Sequence, residues 1–307
     1  MRRTGLLFVA LGIPLVAYEW EAEERLTFSP GETRLGHNNS MHIVCEGERI
    51  FIVYGDEDAS GWNVYLITSC DEGKTWEAPV LVGPRGRAPS IAVKEGRVFI
   101  VYEIPLGYSA GTIGFSYSPD TGNTWIKSII TTDSLEYYFY PSILVIDSVI
   151  HITYAGAASN NIFYQKATEV LFEFSPRITL NEVAMFATQD PSIASHDGKI
   201  LVVWEDGRDY GWPYHEIYYA VSEDYGNTWS EYRLTFDPLL SRDPCVCSSG
   251  GIIHVVWHDT RNGNKEIFYT RSLDGGHSWE TPIRLSTNDG YPSRFPAVAA
   301  ELSLIHI

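Results

Sequence analysis

The stretch Ser222-Glu-Asp-Tyr-Gly-Asn-Thr-Trp229 decides how the chain is read, because its pattern S-x-D-x-G-x-[ST]-W returns three more times. The other copies run from Ser69 to Trp76 (SCDEGKTW), Ser118 to Trp125 (SPDTGNTW) and Ser272 to Trp279 (SLDGGHSW). Their acids, Asp71, Asp120, Asp224 and Asp274, lie 49, 104 and 50 residues apart. The long interval spans two repeats and predicts a decayed copy near position 169. Ala167 to Phe174 supplies it, with Glu169 for the Asp, Phe174 for the Trp and Leu171 where the Gly should be. A fixed period of this length signals a repeat architecture.

Each repeat carries the same succession of β-rich runs. A run after proline (PSIAV, PSILV, PSIAS, PCVCS, PAVAA) comes first. A second follows (RIFIVY, RVFIVY, VIHITY, KILVVW, IIHVVW), then a third ending in the box, then a short fourth such as YRLTF. Four short strands per repeat, rich in Val, Ile, Tyr and Trp and punctuated by Gly and Asp, predict propeller blades. No segment has helical periodicity over several turns. Within a box, Gly supplies positive φ, the Asp accepts backbone N–H groups across the turn, Ser or Thr adds a local bond, and Trp returns to the sheet packing. Asp71, Asp120, Asp224, Asp274 and their partners Trp76, Trp125, Trp229 and Trp279 are therefore assigned to structure, not catalysis.

The boxes resemble the Asp boxes, or BNR repeats, of the sialidase-like propeller superfamily, from about Trp20 to Ala300. The resemblance implies an all-β, six-bladed propeller with the boxes on the face opposite the active site. Blades start near Ser40, Ala88, Pro141, Pro191 and Pro244, and a sixth opens at Phe295-Pro296. Trp20 and the residues to Thr27 mirror Trp279 to Ser286, so the N-terminus is expected to lend an outer strand to the last blade. A WD-repeat propeller lacks support, because its G-H and W-D pair is missing.

The domain reading is residues 1–17 as a signal peptide, 18–301 as a single incomplete propeller, and 302–307 as a non-native tail or the start of a blade strand. Arg2 and Arg3 precede an apolar run from Gly5 to Ala17 that is too short to span a bilayer. An edge strand is the alternative for that run. The expected location is secreted or at the cell surface.

Net charge is −17 over 307 residues, which sets nucleic acid aside as a partner. Cys45, Cys70, Cys245 and Cys247 show no zinc spacing; Cys245 and Cys247 are read as small core residues on one strand face. His151, His254 and His306 recur at one repeat position, which argues for packing rather than metal binding. No phosphate loop, dinucleotide fingerprint or G-x-S-x-G occurs, so no cofactor is expected.

The ligand-binding candidates are Arg87, Arg242 and Arg294, each in an R-x-P at a blade entrance. With them go Asp206, Arg208, Asp259 and Arg261 in two W-x-D-x-R loops, and Trp212. Guanidinium forks match a carboxylate, and the resemblance implies an arginine cluster of that kind. The alternative for the two loops is that Asp206–Arg208 and Asp259–Arg261 pair internally. Trp62, Tyr210 and Trp212 are aromatic surfaces for sugar, or else packed against neighbouring loops. Tyr138 and Tyr140 are placed at the ring entrance. No tyrosine nucleophile with its glutamate and no acid/base aspartate can be assigned. The function expected is recognition of a carbohydrate or other extracellular ligand; the alternatives are an exo-sialidase or related glycoside hydrolase, and a cell-surface scaffold.

Overall fold

The computed structural model describes residues 26–27, 32–35, 41–58, 61–131, 136–183, 188–211, 213–287, 289–301 and 304–306. The signal-peptide segment, Trp20 and Trp212 lie outside the described residues. Within them every regular element is a strand. The first sheet holds β1 (Thr33–Arg34), β2 (Ile43–Glu46), β3 (Arg49–Asp58), β4 (Gly61–Ser69) and β5 (Val80–Pro84). The second holds β6 (Arg87–Lys94), β7 (Arg97–Pro105), β8 (Gly111–Ser118) and β9 (Ile126–Ile129). The third holds β10 (Tyr138–Ile146), β11 (Val149–Gly156), β12 (Asn161–Thr168) and β13 (Ile178–Thr179). The fourth holds β14 (Gln189–His196), β15 (Lys199–Asp206), β16 (Glu216–Ser222) and β17 (Ser230–Arg233). The fifth holds β18 (Ser241–Ser249), β19 (Ile252–Asp259), β20 (Glu266–Ser272) and β21 (Ile283–Arg284). A two-stranded sheet of β22 (Ala299–Glu301) and β23 (Leu304–His306) follows beside β18.

Sheets two to five are antiparallel meanders in sequence order, as the repeat predicts. In the first sheet β1 and β2 share the innermost place: Ile43 to Glu46 pair with the start of β3, and Thr33–Arg34 pair with Asp56 and Gly55 further along it. Successive sheets pack face on face, and the core lies in the seams. One cluster joins Phe99, Val101 and Phe115 of the second sheet to Ile143, Ile152 and Tyr154 of the third. Another joins Val203 and Tyr219 of the fourth to Val255 and Trp257 of the fifth. Cys245 and Cys247 are buried in the seam beyond the fifth sheet with Val298, and burial pushes the Cys245 thiol up to about 11, leaving it an inert apolar filler. His151 and His254 sit in the second strands with Nδ1 on the hydroxyls of Tyr164 (2.6 Å) and Tyr269 (2.9 Å). Burial lowers both imidazoles to about 4, so they are neutral packing groups at physiological pH.

The four boxes fold identically. In the third of them, Asp224 Oδ1 accepts the Thr228 N–H at 2.8 Å and Oδ2 accepts the Thr228 hydroxyl at 2.7 Å. Ser222 Oγ accepts the Gly226 N–H at 2.7 Å and donates to Asp224 at 2.8 Å. Two successive residues turn left-handed, Tyr225 (φ 57°) and Gly226 (φ 79°). A side chain at Gly226 would put Cβ 1.9 Å from the Tyr164 hydroxyl, so glycine is required there by contact as well as by φ. The box Trp residues are half-buried, and Trp125, Trp229 and Trp279 lie in the seam with the preceding sheet: the Trp229 ring is 4.7 Å from that of Tyr164, and Trp279 is 5.4 Å from Tyr219. In the decayed copy Glu169 no longer caps a turn. It is buried against Arg97 of the neighbouring sheet, while Phe172 and Phe174 pack on Tyr117 and Phe115.

Candidate functional site

Strand direction sorts the residues onto two faces. Innermost strands run from the entrance down, second strands return, and the third descend into the boxes. Thr121 N–H bonds the carbonyl of Gly96 in the β6–β7 turn, so boxes and first hairpins share one face. The opposite face therefore holds the starts of β6, β10, β14 and β18 and the ends of β7, β15 and β19.

Each of those innermost strands opens with the same irregularity. The ladder skips between Arg87 and Ser90, Phe139 and Ser142, Gln189 and Ser192, and Arg242 and Cys245. The proline sits in the bulge, where its missing N–H leaves no ladder bond unmade. The strand therefore starts two or three residues earlier than the proline-led reading placed it. The residue before the proline is left-handed every time: Ala88 (φ 46°), Tyr140 (51°), Asp190 (55°), Asp243 (54°) and, at the next repeat, Phe295 (56°). Non-glycine residues held there cost on the order of 1–3 kcal/mol each, and such outliers gather at functional sites.

All five line one of two cavities. One of about 210 Å³ is bordered by Tyr140, Asp190, Arg242, Asp243, His258, Lys265, Arg294 and Phe295 among others. The other, of about 320 Å³, is bordered by Arg34, Gly55, Trp62, Arg87, Ala88, Glu103 and Tyr140 among others. Tyr140 is common to both.

The residue after the second-strand aromatic forms an inner ring: Gly55, Glu103, Ala155, Glu205 and His258. Both glutamates clamp the entrance. Glu103 holds Arg87 Nε at 3.0 Å and accepts the Tyr140 N–H at 3.1 Å. Glu205 holds Arg242 through Nε (3.0 Å) and Nη2 (2.7 Å), the Gln189 amide at 2.8 Å and the Asp243 N–H at 3.1 Å. Glu103 thus ties Arg87 of its own sheet to the bulge of the next, and Glu205 ties Gln189 of its own sheet to Arg242 and Asp243 in the bulge of the next. Burial pushes the Glu103 carboxyl up against the opposing pull of Arg87.

The smaller cavity concentrates the titratable groups. Asp190, Glu205 and Asp243 are buried and offer oxygens within 4.8 Å of one another. Arg242 neutralises Glu205. Asp190 is held well above the carboxylate range, first by burial and then by the charges of Glu205 and Asp243. His258, buried, has Nδ1 2.8 Å from Asp243 Oδ2 but out of line for a hydrogen bond, and neither ring nitrogen makes a hydrogen bond among the described residues. Lys265 and Arg294 stand on the rim without a carboxylate partner among the described residues, and burial followed by repulsion from Arg294 lowers the Lys265 ammonium. The three carboxylates are the described residues that could bracket a cation; the raised proton affinity of Asp190 is a second way to relieve the same crowding.

The sequence candidates divide accordingly. Arg87, Arg242 and Arg294 all reach the entrance, but Arg87 lies in the larger cavity and the other two in the smaller, and the forks of Arg87 and Arg242 already hold buried glutamates. Arg208 and Arg261 bond Asp206 and Asp259 at 2.6 and 2.5 Å within their loops, and Trp204 and Trp257 donate to the same carboxylates. Neither pair lines either of these two cavities. Tyr210 is exposed beneath the Arg233 guanidinium, and Trp62 borders the larger cavity. Tyr140 is at the entrance, whereas Tyr138 is buried in the seam with the hydroxyl bonded by Arg177. Asp190, Asp243, Glu103 and Lys265 were not singled out by motif; for Asp190 and Asp243 the place before a blade proline was the available signal, and Glu103 and Lys265 had none.

Among the described residues no helix is long and apolar enough to cross a membrane. An alpha-L-arabinanase of Penicillium chrysogenum, solved with arabinobiose, superposes with a TM-score of 0.60 at 16% identity, over 82% of this chain and 81% of that one. An alpha-L-arabinofuranosidase of Fusarium graminearum gives 0.58 at 17% identity, over 82% and 80%. A polysaccharide lyase, an ulvan lyase, gives 0.60 at 12% identity, over 86% and 75%. At such identities the likeness is one of propeller fold. No curated protein matches the chain in sequence. The BNR repeat-like domain, by contrast, matches residues 16–307, and the chain belongs to that family.

Proposed function

We propose that this protein is a secreted, six-bladed carbohydrate-active propeller that binds a saccharide at the blade entrance and hydrolyses a glycosidic bond there. The observation that carries the reading is the Asp190–Asp243 pair: two buried carboxyl groups at one cavity wall, the first with its proton affinity raised by burial and by the charges of Glu205 and Asp243. Glycoside hydrolysis uses two carboxyl groups whose environments drive their proton affinities apart. Asp190 would give its proton to the leaving oxygen. Asp243, beside His258, supplies the second carboxyl group, and Lys265 and Arg294 face the hydroxyl or acidic substituents of the sugar. The fold neighbours, arabinan-degrading enzymes and an ulvan lyase, support carbohydrate as the ligand class and suggest pentose- and uronate-containing polysaccharides for the first screen.

The test is hydrolysis of arabino-oligosaccharides, glucuronate-containing oligosaccharides and a fluorogenic sialoside by the wild type and by Asp190→Asn. The expected result is turnover of one class, reduced about 100-fold or more by the substitution. Turnover that survives Asp190→Asn would remove Asp190 from the mechanism. One observation favours a binding-only reading: Asp190 and Asp243 are 6% and 7% exposed, which restricts access to them. Saturable saccharide binding without turnover would select it. A sialidase-type three-arginine clamp has less support, since Arg87 and Arg242 are already engaged by glutamates.

A further inference from the structure

We infer that the larger cavity is a second saccharide subsite with Trp62 as its platform, so that the protein reads an oligosaccharide laid across Tyr140 rather than a single sugar. The inference rests on the reading of the entrance as a carbohydrate site and adds the form of the substrate.

Three observations carry it. Tyr140 is a wall common to both cavities: one is bordered by the third, fourth and fifth sheets and the chain after them, the other by the first three sheets. A ligand in one is therefore adjacent to the other. The sizes agree, because 210 Å³ is below the usual range for a small-molecule pocket, whereas the two cavities together fall within the ~300–1,000 Å³ of ordinary binding sites.

The second observation is the seat of Trp62. Its half-buried ring lies across Gly55, where any Cβ would come within 3.4 Å of the indole edge. At this ring position the second and fourth sheets have Glu103 and Glu205, each clamping an arginine. In the first sheet the side chain is absent and the indole takes the space. The Arg34 guanidinium stands over this ring, 5.6 Å from its centroid, and both border the cavity. An indole offers a broad apolar face at low conformational cost, and a sugar ring would stack on the part of it that the half-exposed Arg34 leaves or vacates.

The third is charge. The cations at this cavity are already balanced: Arg34 pairs with Glu32 at 2.6 Å and Arg87 with Glu103 at 3.0 Å. With Glu57 also on the lining, the cavity holds three glutamates against two arginines and has no surplus cation, which suits a neutral, hydroxyl-rich unit better than an acidic one. The smaller cavity, with Lys265 and Arg294 on its rim, is charged differently. The unit over Trp62 is therefore assigned as a neutral sugar, whatever the smaller cavity holds.

Size-graded oligosaccharides of one to six units, prepared from arabinan and from a glucuronate-containing polysaccharide, test this by calorimetric titration of the full chain. The wild type should gain about tenfold in affinity between one and three units. Trp62→Ala should lose about fivefold for three units and longer while matching the wild type for one. Trp62→Phe, which keeps an aromatic face, should recover most of the loss. Wild-type affinity that does not change with length, or equal weakening of Trp62→Ala for every length, overturns the subsite and leaves the carbohydrate reading standing. No binding of any saccharide by the wild type overturns both.

Discussion

The two faces of this protein use one repeat in opposite ways. On the box face, four turns from different blades repeat the same bonds: Ser to Asp, Asp to the Thr or Ser N–H, and Gly N–H to Ser, each between 2.7 and 2.9 Å. On the entrance face the backbone repeats just as faithfully, with a bulge and a left-handed residue before proline, yet the side chains there are Ala, Tyr, Asp, Asp and Phe. Repetition of side chains marks what holds the blades. Repetition of backbone under changing side chains marks where chemistry is placed.

The strongest way to break that comparison is at the clamps. Glu205→Ala would leave Arg242 buried without its carboxylate and should cost about 3–5 kcal/mol, measured by urea denaturation. A smaller loss would mean that the clamp serves binding more than stability. On the box face, Gly226→Ala meets both the Tyr164 hydroxyl and an unfavourable φ and should cost about 2–4 kcal/mol. Gly73→Ala, at the equivalent position with no contact closer than 3.4 Å, should cost only about 1 kcal/mol by the same denaturation. Equal losses would show that φ alone matters.

At the mouth the sign should reverse. The Asp190 carboxyl is raised in the folded state, so ionising it opposes folding as pH rises above the ordinary aspartate range. Asp190→Asn should therefore raise the thermal midpoint at pH 7 while abolishing turnover, a separation of stability from function that box substitutions cannot produce. The smallest effect belongs to the box acids. The Thr228 N–H, followed by its hydroxyl, holds Asp224 at about 2, below its unfolded value. That contribution is complete above about pH 4 and is lost as pH falls toward 2. Asp224→Asn should flatten the acid limb of a stability–pH curve slightly; an unchanged limb would assign acid unfolding to other carboxylates.

The boxes were legible because every part of their chemistry lies within eight residues, and their spacing carried the strand order of the blades. The seam position of the box tryptophans was not, since Trp229 meets Tyr164, which comes from the preceding repeat. The entrance was half legible. Arg87, Arg242 and Arg294 stood out through R-x-P, but Glu103 and Glu205, which occupy two of them, lie on second strands with no motif of their own. Asp190 and Asp243 come from different repeats and meet only once the sheets are ranged around a centre. No local spacing encodes that meeting.

The left-handed residue before each blade proline also bears on how such a protein can change its trade. Because the bulge and the proline hold that backbone position whatever side chain it carries, these positions behave as interchangeable sockets facing a shared space. Mutation there can exchange an acid for an aromatic, as Asp190 and Tyr140 already differ, with the seams and boxes left untouched. A small library confined to positions 88, 140, 190, 243 and 295 would therefore sample new binding chemistries on an unaltered frame.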